Sequence, residues 1–111
     1  MRLKSDIWVS AFLRQCMVDG KYGAVLRKGA PEAGAVYVVV NHLDGTCHLF
    51  GPAPGPAFDD DGERRWSEEL KPPATPAEVD ALISRRTSFD PDIWVVEVED
   101  KSGTAGIVIA D

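Results

Sequence analysis

The stretch FDPDIWVVEVEDK, residues 89–101, contains Pro91-Asp92 and, seven positions beyond that aspartate, Glu99-Asp100-Lys101. Together these spell the P-D…E-x-K signature of metal-dependent nucleases, whose carboxylates hold a hard cation that activates water. A small metal-dependent hydrolase or nuclease would here use Asp92, Glu97, Glu99 and Lys101. Geometry opposes it. In one continuous strand, seven residues at roughly 3.3 Å each set Asp92 and Glu99 about 23 Å apart, beyond the reach of a shared ion. Asp92 alternates with Trp94, Val96 and Val98, and Glu99 with Ile93, Val95 and Glu97, so the two carboxylates leave opposite faces. The segment is expected to be a strand with Trp94, Val96 and Val98 toward the core. Glu97 and Glu99 are expected to meet water or a cation such as Arg86, and no catalytic residue is assigned.

Other groupings invite the same test. The loop GAPEAG, residues 29–34, has the G-x-x-x-x-G spacing of a phosphate loop. Ala35-Val36 stand where lysine and a hydroxyl residue belong, and a strand pattern follows in place of a helix N-terminus, so the loop reads as a hairpin turn. Beside it, Arg27 and Lys28 are the residues available to an isolated anion or a nucleotide. His42, Cys47 and His48 include the donor types that zinc prefers. In a strand, however, Cys47 and His48 point to opposite faces, so neither a shared metal nor a Cys-His nucleophile pair follows. Cys47 belongs more naturally to the core. Trp8, Trp66 and Trp94 offer rings for stacking, but each sits in an apolar or alternating pattern that reads as core or its margin. Arg86, on an apolar helix face, needs a partner such as Asp90, Asp92 or Glu97, unless its stem covers apolar surface while its head reaches water. No metal and no cofactor is expected.

These residues belong to a chain of 111, a length that supports one domain around one core. Residues 1–55 carry six Lys/Arg against four Asp/Glu, net +2, whereas residues 56–111 carry six against fourteen, net −8. Nucleic acid is therefore a disfavoured partner, because neutralising phosphates needs clustered cations and the acidic half repels the backbone. The run between Asp6 and Arg14 is seven apolar-rich residues that include Ser10, too short to span a bilayer. No membrane partner is expected, and a mature cytoplasmic protein with Cys16 and Cys47 as reduced thiols is the simplest reading.

The elements that must position all this are legible in part. Apolar residues at Ile7, Trp8, Ala11, Phe12 and Met17, with Asp19-Gly20 as a stop, predict a helix over residues 5–18, although IWVSAFL also fits a buried strand. Residues 22–28 and 35–42 read as strands, and Asp44-Gly45 signals a hairpin into a third at 46–50. Residues 51–63, with three prolines, three glycines and Asp59-Asp60-Asp61, read as a mobile loop, followed by a short charged edge strand at RRWSEEL. Thr75, Pro76 and Glu78 form a capping box that opens a helix over residues 76–86, with Val79, Leu82, Ile83 and Arg86 on one face. DIWVVEVED and TAGIVIAD then read as two strands of a hairpin joined by KSG.

The segments WVSAFLRQC, GAVLRKGAPEAGAVYVVVNHLDG and FDPDIWVVEVED together resemble domain-of-unknown-function family 1491, small proteins most familiar from alphaproteobacteria. The resemblance spans nearly the whole chain and rests on turn and strand patterns. It implies a stand-alone cytoplasmic protein and supplies no activity. The expected fold is α+β: a mainly antiparallel sheet of five or six strands with two helices packed on it, leaving one sheet face or an edge open. The expected function is a noncatalytic binding or regulatory module that contacts a protein partner or its own copy through that surface.

Overall fold

A computed structural model describes residues 2–110, which form α1 (Ser5–Val18), β1 (Gly23–Arg27), β2 (Val36–Asn41), β3 (Cys47–Pro52), β4 (Trp66–Leu70), α2 (Pro76–Phe89) and β5 (Trp94–Glu99). The five strands make one sheet in the order β1-β5-β2-β3-β4. Every neighbouring pair is antiparallel except β2 with β5, which run parallel. The fold is thus α+β with a mixed, mostly antiparallel sheet. No helix among the described residues is long and apolar enough to cross a membrane.

Strand β2 reads VYVVVN because it lies in the middle of the sheet with both faces covered, and its first five residues are buried. One face carries Val36, Val38, Val40, Phe50, Trp94 and Val96 against Val9 and Cys16 of α1. The other carries Tyr37, Val39, Leu49, Ile93 and Val95 against Val79 of α2, with Leu82 and Ile83 at its margin. The two helices therefore take opposite faces, and the expectation of an uncovered sheet face is corrected. The cause lies in the alternation of β2 and β5, whose residues are apolar at both parities and demand cover on both sides.

The connection at residues 29–34 also departs from expectation, since β5 lies between β1 and β2 and GAPEAG cannot close a hairpin. Instead it is a strap. Ala30 N–H donates to the Asp92 carbonyl (3.0 Å), and Trp94 Nε1 donates to the Ala30 carbonyl (2.7 Å). Glu32 and Pro31 carbonyls accept from the Ser5 and Asp6 amides, which start α1 where no side chain caps it. Glycine is required by close approach: a Cβ on Gly34 would lie 2.3 Å from the Asp92 carbonyl oxygen. The C-terminal expectation is corrected as well. Residues 100–110 form no hairpin with β5; they turn through Ala105 (φ 54°) and Gly106 (φ 81°) and return so that Ile109 makes an isolated parallel bridge to Trp66. The 51–63 segment contributes Gly51 and Pro52 to β3, then leaves the sheet as an excursion tied by a bridge between Phe58 and Arg64.

Candidate functional site

The strap, the residues leading into α1 and the excursion after β3 enclose a cleft of about 390 Å³, lined by Arg2, Lys4, Val36, Phe58, Arg64 and Trp66 among others. Arg64 is its centre. The Arg64 guanidinium carbon lies 5.3 Å from the Phe58 ring centroid and 5.7 Å from that of Trp8, and Arg2 approaches Phe58 at 5.3 Å as well. Arg64 Nη2 donates to Ser5 Oγ (3.1 Å) and, at 3.3 Å, to the Leu3 carbonyl. Ser5 Oγ in turn donates to the Gly34 carbonyl at 2.6 Å, and Ser5 is wholly buried. Among the described residues no carboxylate forms an ion pair with Arg2, Arg64 or Arg65, and Arg64 Nε is buried with no hydrogen-bond partner. Burial pushes the Arg64 pKa down from its ordinary value, the signature of a cation whose water has been removed without a counter-charge in return. Glu32 lies at the rim, 3.8 Å from Lys4 in an exposed pair, while Arg65 is spent on the Pro54 and Pro56 carbonyls. A cleft with apolar walls, aromatic rings and one under-satisfied guanidinium has the chemistry to accept an oxyanion.

A second polar cluster crosses the far part of the α1 face. His42 Nδ1 lies 2.7 Å from the Asp100 carbonyl oxygen, His42 Nε2 lies 2.8 Å from His48 Nδ1, and His48 Nε2 lies 3.3 Å from Glu68 Oε2. The His48 ring stacks on Phe50 with an interplanar angle of 7°. Burial pulls the His48 pKa below the ordinary histidine value, His42 beside it adds to this, and Glu68 opposes it. Cys47 points to the α2 face, away from both imidazoles, as the strand alternation requires. Among the described residues no three His, Cys, Asp or Glu side chains converge as a metal site.

Comparison with known proteins places the fold. The model of a protein family of unknown function, DUF1491, matches residues 3–107. The chain belongs to the DUF1491 family. Its fold is similar to the solution structure of protein Atu0922 from A. tumefaciens, with 39% identity, a TM-score of 0.86, and 100% of this chain and 97% of that one covered. It is also similar to the crystal structure of a DUF1491 family protein from Caulobacter crescentus CB15, with 37% identity, a TM-score of 0.78, and 97% and 95% of the two chains covered. No curated protein matches the chain.

Within this DUF1491 chain the residues singled out from sequence are dispersed. Asp92 sits in the turn before β5, its amide donating to Asp90 Oδ1 and its carbonyl held by the strap. Glu97 lies on the α2 face, its pKa raised by burial and then by Glu99 and Asp80. Lys101 is exposed beyond the strand. Arg27 Nη2 donates to the Pro91 carbonyl (3.0 Å), so this cation is tied to the same turn, and Lys28 beside it is exposed. Arg86 finds neither Asp90, Asp92 nor Glu97; its partner is Glu69 of β4 at 3.8 Å, with Tyr37 beside it. Thr75 Oγ1 accepts from the Glu78 amide at 3.3 Å and caps α2. The Arg64 cleft escaped the sequence reading because its parts come from residues about sixty apart. The available signal was an arginine pair at the end of the Asp-rich loop, adjacent to Trp66.

Proposed function

We propose that this chain is a noncatalytic binding module, acting in the cytoplasm, that seats a carboxylate attached to an apolar group in the Arg64 cleft. A protein partner presenting an acidic residue beside an apolar one is the source that fits the open shape. The carrying observation is the Arg64 guanidinium, set over the Phe58 and Trp8 rings with a buried Nε and no ion-pair partner among the described residues. An incoming oxyanion would supply the charge that this site lacks, and the rings would take the apolar body. Two free, buried thiols, Cys16 and Cys47, support a reducing compartment. The hydrolase reading has no comparable support, since Asp92, Glu97 and Glu99 are spread over a turn and a strand.

The test is an amide NMR titration with acetyl-Phe-Glu, benzoate and inorganic phosphate as probes. Saturable shifts at Ser5, Gly34 and Trp66 with the two carboxylate probes, strongest with the peptide and abolished in Arg64→Met, are expected. Shifts of the same size in Arg64→Met, or none with any probe, would overturn the proposal, and a response to benzoate alone would move it to a free small acid.

A further inference from the structure

The row from Asp100 to Glu68 contains fewer protons than it has places for them. The Asp100 carbonyl only accepts, so His42 Nδ1 must carry the hydrogen across the 2.7 Å contact. A neutral His42 then offers a lone pair at Nε2, and His48 must donate to it from Nδ1 across 2.8 Å. That leaves the Nε2 of a neutral His48 with a lone pair directed at Glu68 Oε2, 3.3 Å away. Lone pair faces carboxylate, and no bond can form. One added proton resolves the conflict without moving an atom far: water-borne H⁺ is transferred to His48 Nε2, a new N–H bond forms, and the imidazolium donates to Glu68. We propose that His42, His48 and Glu68 form a proton site that stands open at neutral pH and closes into an ion pair when the protein is acidified.

Its position gives the closure a structural object. His48 is on β3 and Glu68 on β4, and the ladder between these strands is irregular between Leu49 and Phe50, where Phe50 pairs with Glu68. The acid-formed bond therefore clasps β3 to β4 where backbone pairing is interrupted. The other charged or titratable groups nearby do not fill the gap. The Asp100 carboxylate is turned to the Gly103 and Ala105 amides. Asp44, on the hairpin before β3, accepts from the Thr46 hydroxyl and amide, which hold its carboxyl below the usual range with a smaller contribution from His42. Cys16 of α1, packed in the same cluster as Phe50, is a thiol whose burial raises its pKa. The half-buried state of His48 and Glu68, whose side chains are 17% and 28% exposed, gives solvent protons access while limiting screening.

Imidazole ¹H–¹⁵N NMR of the intact chain tests this directly. At pH 7.5 both His42 and His48 are expected as Nδ1–H tautomers, with His48 Nε2 unprotonated. On acidification His48 Nε2 should gain its hydrogen with a midpoint below about 6.5, the ordinary histidine value. In Glu68→Gln the carboxamide can donate to His48 Nε2 and close the row with no proton, so the midpoint should fall by about one pH unit or more. An Nε2–H on His48 at pH 7.5, a midpoint at or above about 6.5, or an unchanged midpoint in Glu68→Gln would each overturn the proposal. The wild-type tautomers decide the matter if the variant does not fold.

Discussion

Arg64 combines ring contacts with a buried donor left unsatisfied. Its stem and guanidinium fill space between Trp8 and Phe58, but an N–H buried without a partner costs on the order of 1–3 kcal/mol. Methionine keeps the packing and removes that cost, while Ser5 Oγ still donates to the Gly34 carbonyl. Arg64→Met is therefore expected to leave folding stability unchanged or raised by about 1 kcal/mol in urea denaturation. A loss above about 1 kcal/mol would mark Arg64 as a strut through its bonds to Leu3 and Ser5. Glu97 poses a related question on the other sheet face. Its folded pKa is raised, by burial first, so its contribution is favourable below the unfolded carboxyl value near 4.3 and is lost as pH rises through the folded value. Glu97→Gln should accordingly stabilise the protein at pH 7, by only about 0.5 kcal/mol because solvent screens a partly exposed group. The gain should disappear when denaturation is repeated near pH 4, and a variant that is less stable at pH 7 would contradict the argument.

Elements whose signals are local were legible, and those fixed by distant pairing were not. Helix α2 starts where Thr75, Pro76 and Glu78 place it, and it runs three residues past the expected end because Thr87, Ser88 and Phe89 contain no stop signal. The 3.3 Å length of the Thr75 cap puts Thr75→Ala at about 0.5–1 kcal/mol of destabilisation, read as a lower urea midpoint at constant slope. An unchanged midpoint would show the cap to be idle. Helix α1 and the β2–β3 hairpin around Asp44-Gly45 likewise follow from short-range patterns. By contrast, nothing near GAPEAG announces that β5, some sixty residues later, will enter between β1 and β2. The glycines were visible as turn formers, but their reason is the passage of the Asp92 backbone beneath them. The same limit applied to both polar clusters. His42 and His48 were noticed only with Cys47, as zinc-type donors, whereas Glu68 and the Asp100 carbonyl reach them only through strand order, and Arg64 meets Ser5 only once the excursion folds back on α1.

At the scale of the molecule, the covering of both sheet faces confines recognition to clefts and edges, and charge decides which ligands can approach them. The carboxylates of the nuclease-like motif lie among their own kind: Glu99 and Asp80 each push the Glu97 pKa upward, and the described cations Arg27 and Arg86 are engaged elsewhere. A nuclease needs the opposite, a basic groove beside its metal ligands, because its substrate must bring phosphates close to them. Arg2 and Arg64, which form no ion pair with a carboxylate among the described residues, lie instead at the cleft beside the excursion after β3, walled by rings and too small for a duplex groove. Purified protein is therefore expected to leave single- and double-stranded DNA and RNA intact in Mg²⁺ or Mn²⁺, and Glu99→Ala is expected to fold normally with the same inert result. Metal-dependent cleavage by the wild type that vanishes in Glu99→Ala would overturn the binding-module reading, since it would require Asp92 and Glu99 to meet on one ion despite standing at opposite ends of β5.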